Sequence, residues 1–480
     1  MGGIRPKSTW KLLTGDEIRE IDLASIEILE KVGVNVRSEK ALRLLKDAGA
    51  DVDEHHQIAK IPGSLVQEGV KKAPSNFYLC GRNPKYDMMM GDEHVYLGSG
   101  GTALNVLDLD TGERRPSLER DLANMTRLVD GLKNVDFCIG HVTPTDIPSE
   151  LHFTSMWATL FNNTEKNVLH GIRGAEMAKD IIKMASLIVG GEDNLRKRPI
   201  LMDCCNVVSP LHHDKLMIEG AMECAEHGIP SAMAPEPAAG ATGPATLAGT
   251  LVLCNAEALS GILIVQLAAP GAPILYGCVA QIMDMRSANF PGGAVEIGLL
   301  SAAATQLAHH YGLPVYATGG ISDAKVPDAQ AGYEKALQMA IVAMSGANYQ
   351  HEAAGMLETG LTMSYEQLVI DDEILGMVNR ILQGIRVDKV SLAVDLIKKV
   401  GFKHYLAEKH THDFFRTEQY MPTLSNRDNY QKWARQGSRS VREAAREKAK
   451  KILETHHPQP IDKDIQAEIQ KIVNSRRKAT

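Results

Sequence analysis

Aromatic residues make up only 5% of this 480-residue chain, so each one near a predicted strand end carries more information than usual. Basic residues are short as well. The 52 Lys and Arg stand against 59 Asp and Glu for a formal net charge of −7, which provides no footprint for nucleic acid or an acidic membrane surface. Seven cysteines, an odd number spread through apolar segments without a C-x-x-C pair, argue against a disulfide framework and fit a reducing compartment. No apolar stretch follows Met1-Gly2-Gly3-Ile4-Arg5-Pro6-Lys7, so no secretory signal is expected and the cytoplasm is the expected location. The most apolar run, Thr250 to Ala269, holds Asn255, Glu257 and Gln266 and meets Pro270, which reads as a buried helix rather than a membrane span. There is no G-x-x-x-x-G-K-[ST] loop. Gly98-Ser99-Gly100-Gly101-Thr102 looks superficially like a dinucleotide loop, but Asn105 to Gly112 follows as an alternating strand and turn, not as a helix whose N-terminus would hold pyrophosphate. These glycines instead let the backbone pass close to a ligand or to the barrel floor.

What is present is a rhythm. Short β-rich runs at 95–100, 135–141, 167–172, 199–206, 230–235, 273–279, 314–319 and 347–352 are each followed by a helix-like segment, the last at 364–383. Eight β-then-α units predict a (β/α)8 barrel, with a doubly wound open sheet as the second architecture. Residues 1–90 are expected to form an N-terminal helical cap, opened by a capping box of Thr14 and Glu17. The barrel would then occupy 91–385, and the charged residues 386–480 a helical extension, with helices over Val387 to Val400 and Ser438 to Leu453. Its segment from Phe414 to Trp433 is expected to pack or to meet another subunit.

In such a barrel, catalytic groups lie just after the strand C-termini. That rule selects Tyr96, His141, Thr143, His170, Arg173, Asn206, Ser209, Glu236, Gly277, Gln281, Thr318, Ser322 to Lys325, Tyr349, His351 and Glu352. Asn348 to Glu352 stands out because polar side chains fill a strand that should be buried, so they bond one another or face a ligand. His351 and Glu352 are the candidate catalytic pair. Cys204-Cys205 with His212-His213 lacks a standard zinc spacing, and adjacent strand cysteines face opposite ways, so no metal site is expected. Buried thiols are the reading there, with a nucleophilic Cys204 as the alternative.

Two longer segments, Thr318 to Lys335 and Gly346 to Gly360, with Gly98 to Gly112 in support, closely resemble the trimethylamine methyltransferase superfamily. Archaeal members carry pyrrolysine in or near the part aligned with Asp323 to Pro327; only standard residues stand there, with Val326 as occupant. The resemblance therefore points to the non-pyrrolysine branch, which acts on glycine betaine and related quaternary amines. It implies methyl transfer to Co(I) of a corrinoid on a separate partner protein and no cofactor of the chain's own. A homo-oligomer is expected on general grounds, because symmetric homo-oligomers are common and the charged C-terminal helices offer a contact. No D-x-H-x-x-G corrinoid signature is present: Asp92-Glu93-His94 reaches Gly98 one residue late. A cationic substrate calls for aromatic or acidic walls, which nominates Tyr96, Phe153, Trp157, Phe290 and Tyr349, and Arg173 or Arg286 would pair with a substrate carboxylate. The residues alone also admit a lyase or hydrolase using His351 and Glu352, or a noncatalytic quaternary amine binding protein.

Overall fold

The computed structural model describes residues 3–476; positions 1–2 and 477–480 of the expected terminal divisions lie outside the described residues. Eight strands run parallel: β1 (Tyr96–Ser99), β2 (Cys138–Ile139), β3 (Val168–His170), β4 (Leu201–Val207), β5 (Ser231–Pro235), β6 (Ile274–Cys278), β7 (Val315–Thr318) and β8 (Tyr349–Ala354). They neighbour one another in the order β1-β8-β7-β6-β5-β4-β3-β2. The ring closes between its ends, where Asp136 N donates to Leu97 O at 2.7 Å and Ile139 N to Ser99 Oγ at 3.0 Å. This is the (β/α)8 barrel. A closed ring excludes the open doubly wound sheet.

Each strand feeds toward an outer helix: α1 (Glu119–Gly131), α2 (His152–Asn163), α3 (Ala175–Val189), α4 (Lys215–Glu226), α5 (Leu247–Ala268), α6 (Val295–His310), α7 (Ala329–Ser345) and α8 (Tyr365–Gln383). Polar side chains start several of them. Asp214 accepts from Leu216 N and Met217 N, Asp328 from Ala331 N, and Ser364 from Gln367 N, so each satisfies donors that a helix start leaves free. Tyr96, Phe137, Leu169, Met202, Leu275, Tyr316 and Tyr349 fill the barrel interior. The strands' outer faces bury aliphatic residues against the helices.

Helix α5 is long and apolar enough to cross a membrane, yet 78% of its most apolar window is buried in the protein. Its polar residues have partners there: Asn255 accepts from the Tyr276 hydroxyl at 2.9 Å, and Glu257 accepts from Ser209 Oγ and Leu211 N, both at 2.7 Å.

The N-terminal segment has the expected Thr14–Glu17 capping box on its first helix, but it is not wholly helical. Val34–Val36, Asp51–Asp53 and Ile58–Lys60 form a small antiparallel sheet, and His212–His213 from the loop after β4 adds to it as a parallel strand. The helical periodicity breaks at Gly33, whose φ of +82° lets the chain turn into the first of these strands.

At the other end, the helix expected over 387–400 covers only Val394–Val400, because Asp388 Oδ1 accepts from Val390 N and Ser391 N and holds a turn instead. Later helices Val441–Thr455 and Lys463–Ser475 return to the barrel, where Arg446 bonds buried Glu366 at 2.9 and 3.0 Å.

Candidate active site

A cavity of about 610 Å³ opens at the C-terminal ends of the strands. Its floor follows from local packing. The ring of Phe137 occupies the place a side chain on Gly98 would take, and the Gly140 carbonyl that of a side chain on Gly101, so these glycines serve close approach within the barrel. Gly101 and Thr102 then line the cavity.

On β8 the pairing register with β1 slips between Gln350 and Ala354, and within this bulge Glu352 adopts φ +61°. A left-handed conformation at a non-glycine residue costs on the order of 1–3 kcal/mol and persists where the surroundings impose it. Here it accompanies a carboxyl that lines the cavity while its Oε2 is buried with no hydrogen-bond partner among the described residues. Burial, reinforced by the charge of Glu236, pushes this carboxyl up to about 8, so it is mostly protonated at neutral pH in the empty protein. Glu236 follows β5 and lines the same cavity. It is open to the cavity but ringed by the barrel rim, and this enclosure raises its carboxyl too, against a 2.9 Å hydrogen bond from Gln281 Nε2.

His351 stacks on Tyr316 with centroids 3.9 Å apart and planes 9° from parallel. Burial pushes its imidazole down to about 3, so it is neutral, and the 3.7 Å approach of Nδ1 to Glu352 is not an ion pair. The Thr318 hydroxyl donates to Cys278 O at 3.3 Å and lies 2.7 Å from His351 Nε2. It therefore accepts from Nε2–H, which leaves the Nδ1 lone pair facing the Glu352 carboxyl. The other side of the cavity carries Phe153 of α2, His170 of β3 and Arg173 just beyond β3. The Arg173 guanidinium sits 5.6 Å from the Phe153 ring centre, and burial pushes His170 down to about 4.

Of the sequence candidates, Phe153, His170, Arg173, Asn206, Glu236, His351 and Glu352 meet in this space. Tyr96 does not: it begins β1 at the opposite end of the barrel, where its hydroxyl accepts from Met89 N at 2.8 Å. Tyr349 begins β8 and is stacked below the cavity between Phe137 and Tyr316, at 3.5 and 5.8 Å. Trp157 points into the helix–strand core behind His170. Arg286 is exposed and pairs with Asp284 at 3.4 Å, and Phe290 is exposed farther along that loop; neither lines the cavity. Val326 is likewise exposed and outside it. Tyr316 is one of several lining residues that the strand-end rule passed over, with Ile139, Leu169, Asp214, Met356 and Thr359 among the others. Period-two alternation from Thr318 places Tyr316 on the inner face, which was the available signal.

The Cys204 thiol lines the cavity but is pushed up to about 12 by burial, so it is no thiolate nucleophile at neutral pH. Cys205 faces the outer core, His213 bonds Ser260 at 2.8 Å, and no group of three or more metal-ligating side chains occurs among the described residues.

The sequence model of the family described as Trimethylamine methyltransferase (MTTB) matches residues 3–480. The chain belongs to this family. A family member from Desulfitobacterium hafniense (strain DSM 10664 / DCB-2), trimethylamine methyltransferase MttB, is 38% identical over 465 residues, 95% of this chain and 92% of that protein. Glycine betaine methyltransferase of Desulfitobacterium hafniense (strain Y51) is 34% identical over 480 residues, covering 100% and 99% of the two chains. The crystal structure of the Methanosarcina barkeri monomethylamine methyltransferase superposes with a TM-score of 0.52 over 94% of this chain and 90% of that one. At 12% identity that likeness concerns the fold, a barrel with flanking helices. As a family member the protein is a methyltransferase of the methylated-amine type.

Proposed function

We propose that this methyltransferase takes a methyl group from a small quaternary amine, glycine betaine first among them, and passes it to Co(I) of a corrinoid carried by a partner protein in the cytoplasm. The observation that carries the reading is the buried, unpartnered Glu352 oxygen in a cavity shared with Glu236, His351, Phe153 and Arg173. A quaternary ammonium has no N–H to donate, so it is held by negative charge and ring faces rather than by hydrogen bonds. Glu352 and Glu236 supply the charge, and Phe153 and the Tyr316–His351 stack supply the faces. Arg173 stands ready for a carboxylate at the other end of the substrate. Such a molecule, positive at one end and negative at the other, matches a cavity with carboxyls just after β5 and on β8 and a guanidinium beyond β3.

The acceptor is a second substrate whose reduced cobalt supplies the electron pair for the new carbon–cobalt bond. The carbon–nitrogen bond breaks with its pair going to nitrogen, and a neutral tertiary amine leaves. No proton is needed for that departure, whereas a tertiary amine substrate would have to be protonated or otherwise activated first. This fits a site whose histidines are neutral and whose segment 323–327 holds only standard residues. The residues' work is orientation and exclusion of water, effects worth up to ~7–11 kcal/mol at ideal geometry.

The test is single-turnover assay with Co(I) cobalamin and a panel of glycine betaine, choline, carnitine and trimethylamine, following methylated corrinoid and released amine. Glycine betaine should yield dimethylglycine. Arg173→Met should raise KM for glycine betaine roughly 10- to 100-fold, the worth of a charge-assisted pair, and spare choline. Turnover of trimethylamine but of no quaternary amine would overturn the proposal.

A further inference from the structure

Glu352 sits in a bulge whose two flanks are tied to one buried pair of charges. The Lys335 side chain of α7 has no exposed surface. An ammonium has three protons to place, and three acceptors surround this one: Nζ donates to Gly320 O and, at 3.2 Å, to Met356 O, and it lies 3.3 Å from Asp371 Oδ2 of α8. One acceptor for each proton keeps the group charged, with Asp371 opposing the burial that pulls the ammonium down. Asp371 is completed in turn by Gly355 N, which donates to Oδ2 at 2.7 Å, and by Gln367 Nε2, which donates to Oδ1 at 2.8 Å.

The backbone groups so held frame Glu352. Gly355 and Met356 directly follow β8, and Met356 lines the cavity. Gly320, just after β7, lies against the bulge itself: a side chain there would come within 2.7 Å of Ala353 Cα and 3.1 Å of Glu352 O. Gln338 of α7 holds the same residue, its Oε1 accepting from Gly320 N at 3.0 Å. The slipped register and the left-handed Glu352 thus stand between Gly320 on one flank and Gly355 and Met356 on the other. A buried ion pair is, as a rule, no more stabilising than apolar side chains of the same shape, so its distinctive contribution is to place what it bonds.

We propose that Lys335 and Asp371, with Gln338 beside them, are positioning residues for Glu352: they fix both flanks of the β8 bulge and so hold its carboxyl toward the substrate cation. The inference rests on Glu352 being the counter-charge of that cation, as proposed above. Electrostatics agrees with the geometry. The titratable groups facing Glu352 are Glu236 after β5, neutral His351 on β8 itself, the Cys204 thiol on β4, the Tyr316 hydroxyl on β7 and Lys335 on α7. Of these only Lys335 is positive, and its charge opposes the burial and the Glu236 carboxyl that raise Glu352. The pair therefore favours the ionised carboxyl that a quaternary ammonium requires.

Two readouts on the full chain test this: the infrared carbonyl band of protonated Glu352, assigned by its absence in Glu352→Gln, and calorimetry of tetramethylammonium binding. In wild type the band should titrate away with a midpoint of about 8. In the double variant Lys335→Met, Asp371→Asn the midpoint should rise by about one pH unit. Affinity at pH 8 should then fall at least about fivefold, because the ionised fraction drops from about a half to about a tenth. A folded double variant with the wild-type midpoint and affinity would overturn the assignment. Should that variant fail to fold, Gln338→Met decides, since it keeps both charges and cuts the tie to Gly320 N. Its affinity should fall about tenfold at every pH with the midpoint in place, the loss for moving a counter-charge from ~4 to ~6 Å, and wild-type affinity there sinks the proposal. A wild type that binds no tetramethylammonium would instead refute Glu352 as the counter-charge, and the infrared midpoint of the double variant would still decide whether the pair governs the carboxyl.

Discussion

Replacing Glu352 by Gln should flatten a pH dependence of cation binding that the wild-type cavity imposes. In the empty protein the Glu352 carboxyl is pushed up to about 8, chiefly by burial and next by Glu236. A carboxyl raised in this way is neutral below that pH, and a quaternary ammonium gains most from its ionised form. Binding must therefore expel the proton, and the expulsion weakens affinity by about a hundredfold at pH 6, about tenfold at pH 7 and only twofold at pH 8. Between pH 6 and 8 the affinity of wild type for a cation should thus rise about fiftyfold, some 2–2.5 kcal/mol, and then level off. Glu236, also raised by its enclosure, can only steepen that slope. Tetramethylammonium is the probe of choice because it has no titratable group, and calorimetry in two buffers of different ionisation enthalpy reads the released proton directly. Glu352→Gln should bind weakly and with a flatter profile throughout. Wild-type affinity that stays within twofold from pH 6 to 8 would refute the argument, as would a Gln variant that keeps the full slope.

Two further substitutions probe the scaffold. Tyr349→Phe removes a hydroxyl that is buried below the cavity with no hydrogen-bond partner among the described residues, so stability should stay within about 1 kcal/mol and turnover within about twofold. A tenfold loss of turnover would mean the hydroxyl reaches substrate. Lys335→Met breaks a wholly buried pair, Lys335 Nζ to Asp371 at 3.3 Å, and should cost about 3–5 kcal/mol in denaturant unfolding. The double change with Asp371→Asn should cost less than the two single changes together; additive losses would show that the pair is not coupled.

The barrel was legible because its signals are local and repeated: a short β-rich run, then a helix with an Asp or Ser start such as Asp214, Asp328 or Ser364. The lining of the candidate cavity was legible mainly where inward direction follows from strand-end position, as for His351, Glu352 and Glu236; Phe153, on a helix, was reached through residue type. Tyr96 and Tyr349 misled because both begin strands rather than end them, which puts their rings at the floor or beyond it. Trp157 misled because a helix residue's direction depends on which face meets the barrel, and residue type does not reveal that. Arg286 and Phe290 sit in a loop whose path no periodicity describes. The small sheet of residues 34–60 was missed for a different reason: its strands are three residues long and one partner, His212–His213, lies far along the chain.

That distant partner has a consequence for how rigid the cavity is. His212–His213 is paired into the N-terminal sheet, while Asn206, Val208 and Asp214 on either side of it line the cavity. One wall is therefore clamped from outside the barrel, by residues nearly two hundred positions earlier. The rim after β8 is anchored differently, to the loop after β7: Thr359 N donates to Ser322 O at 2.9 Å and Thr359 Oγ1 to Asp323 Oδ1 at 2.6 Å.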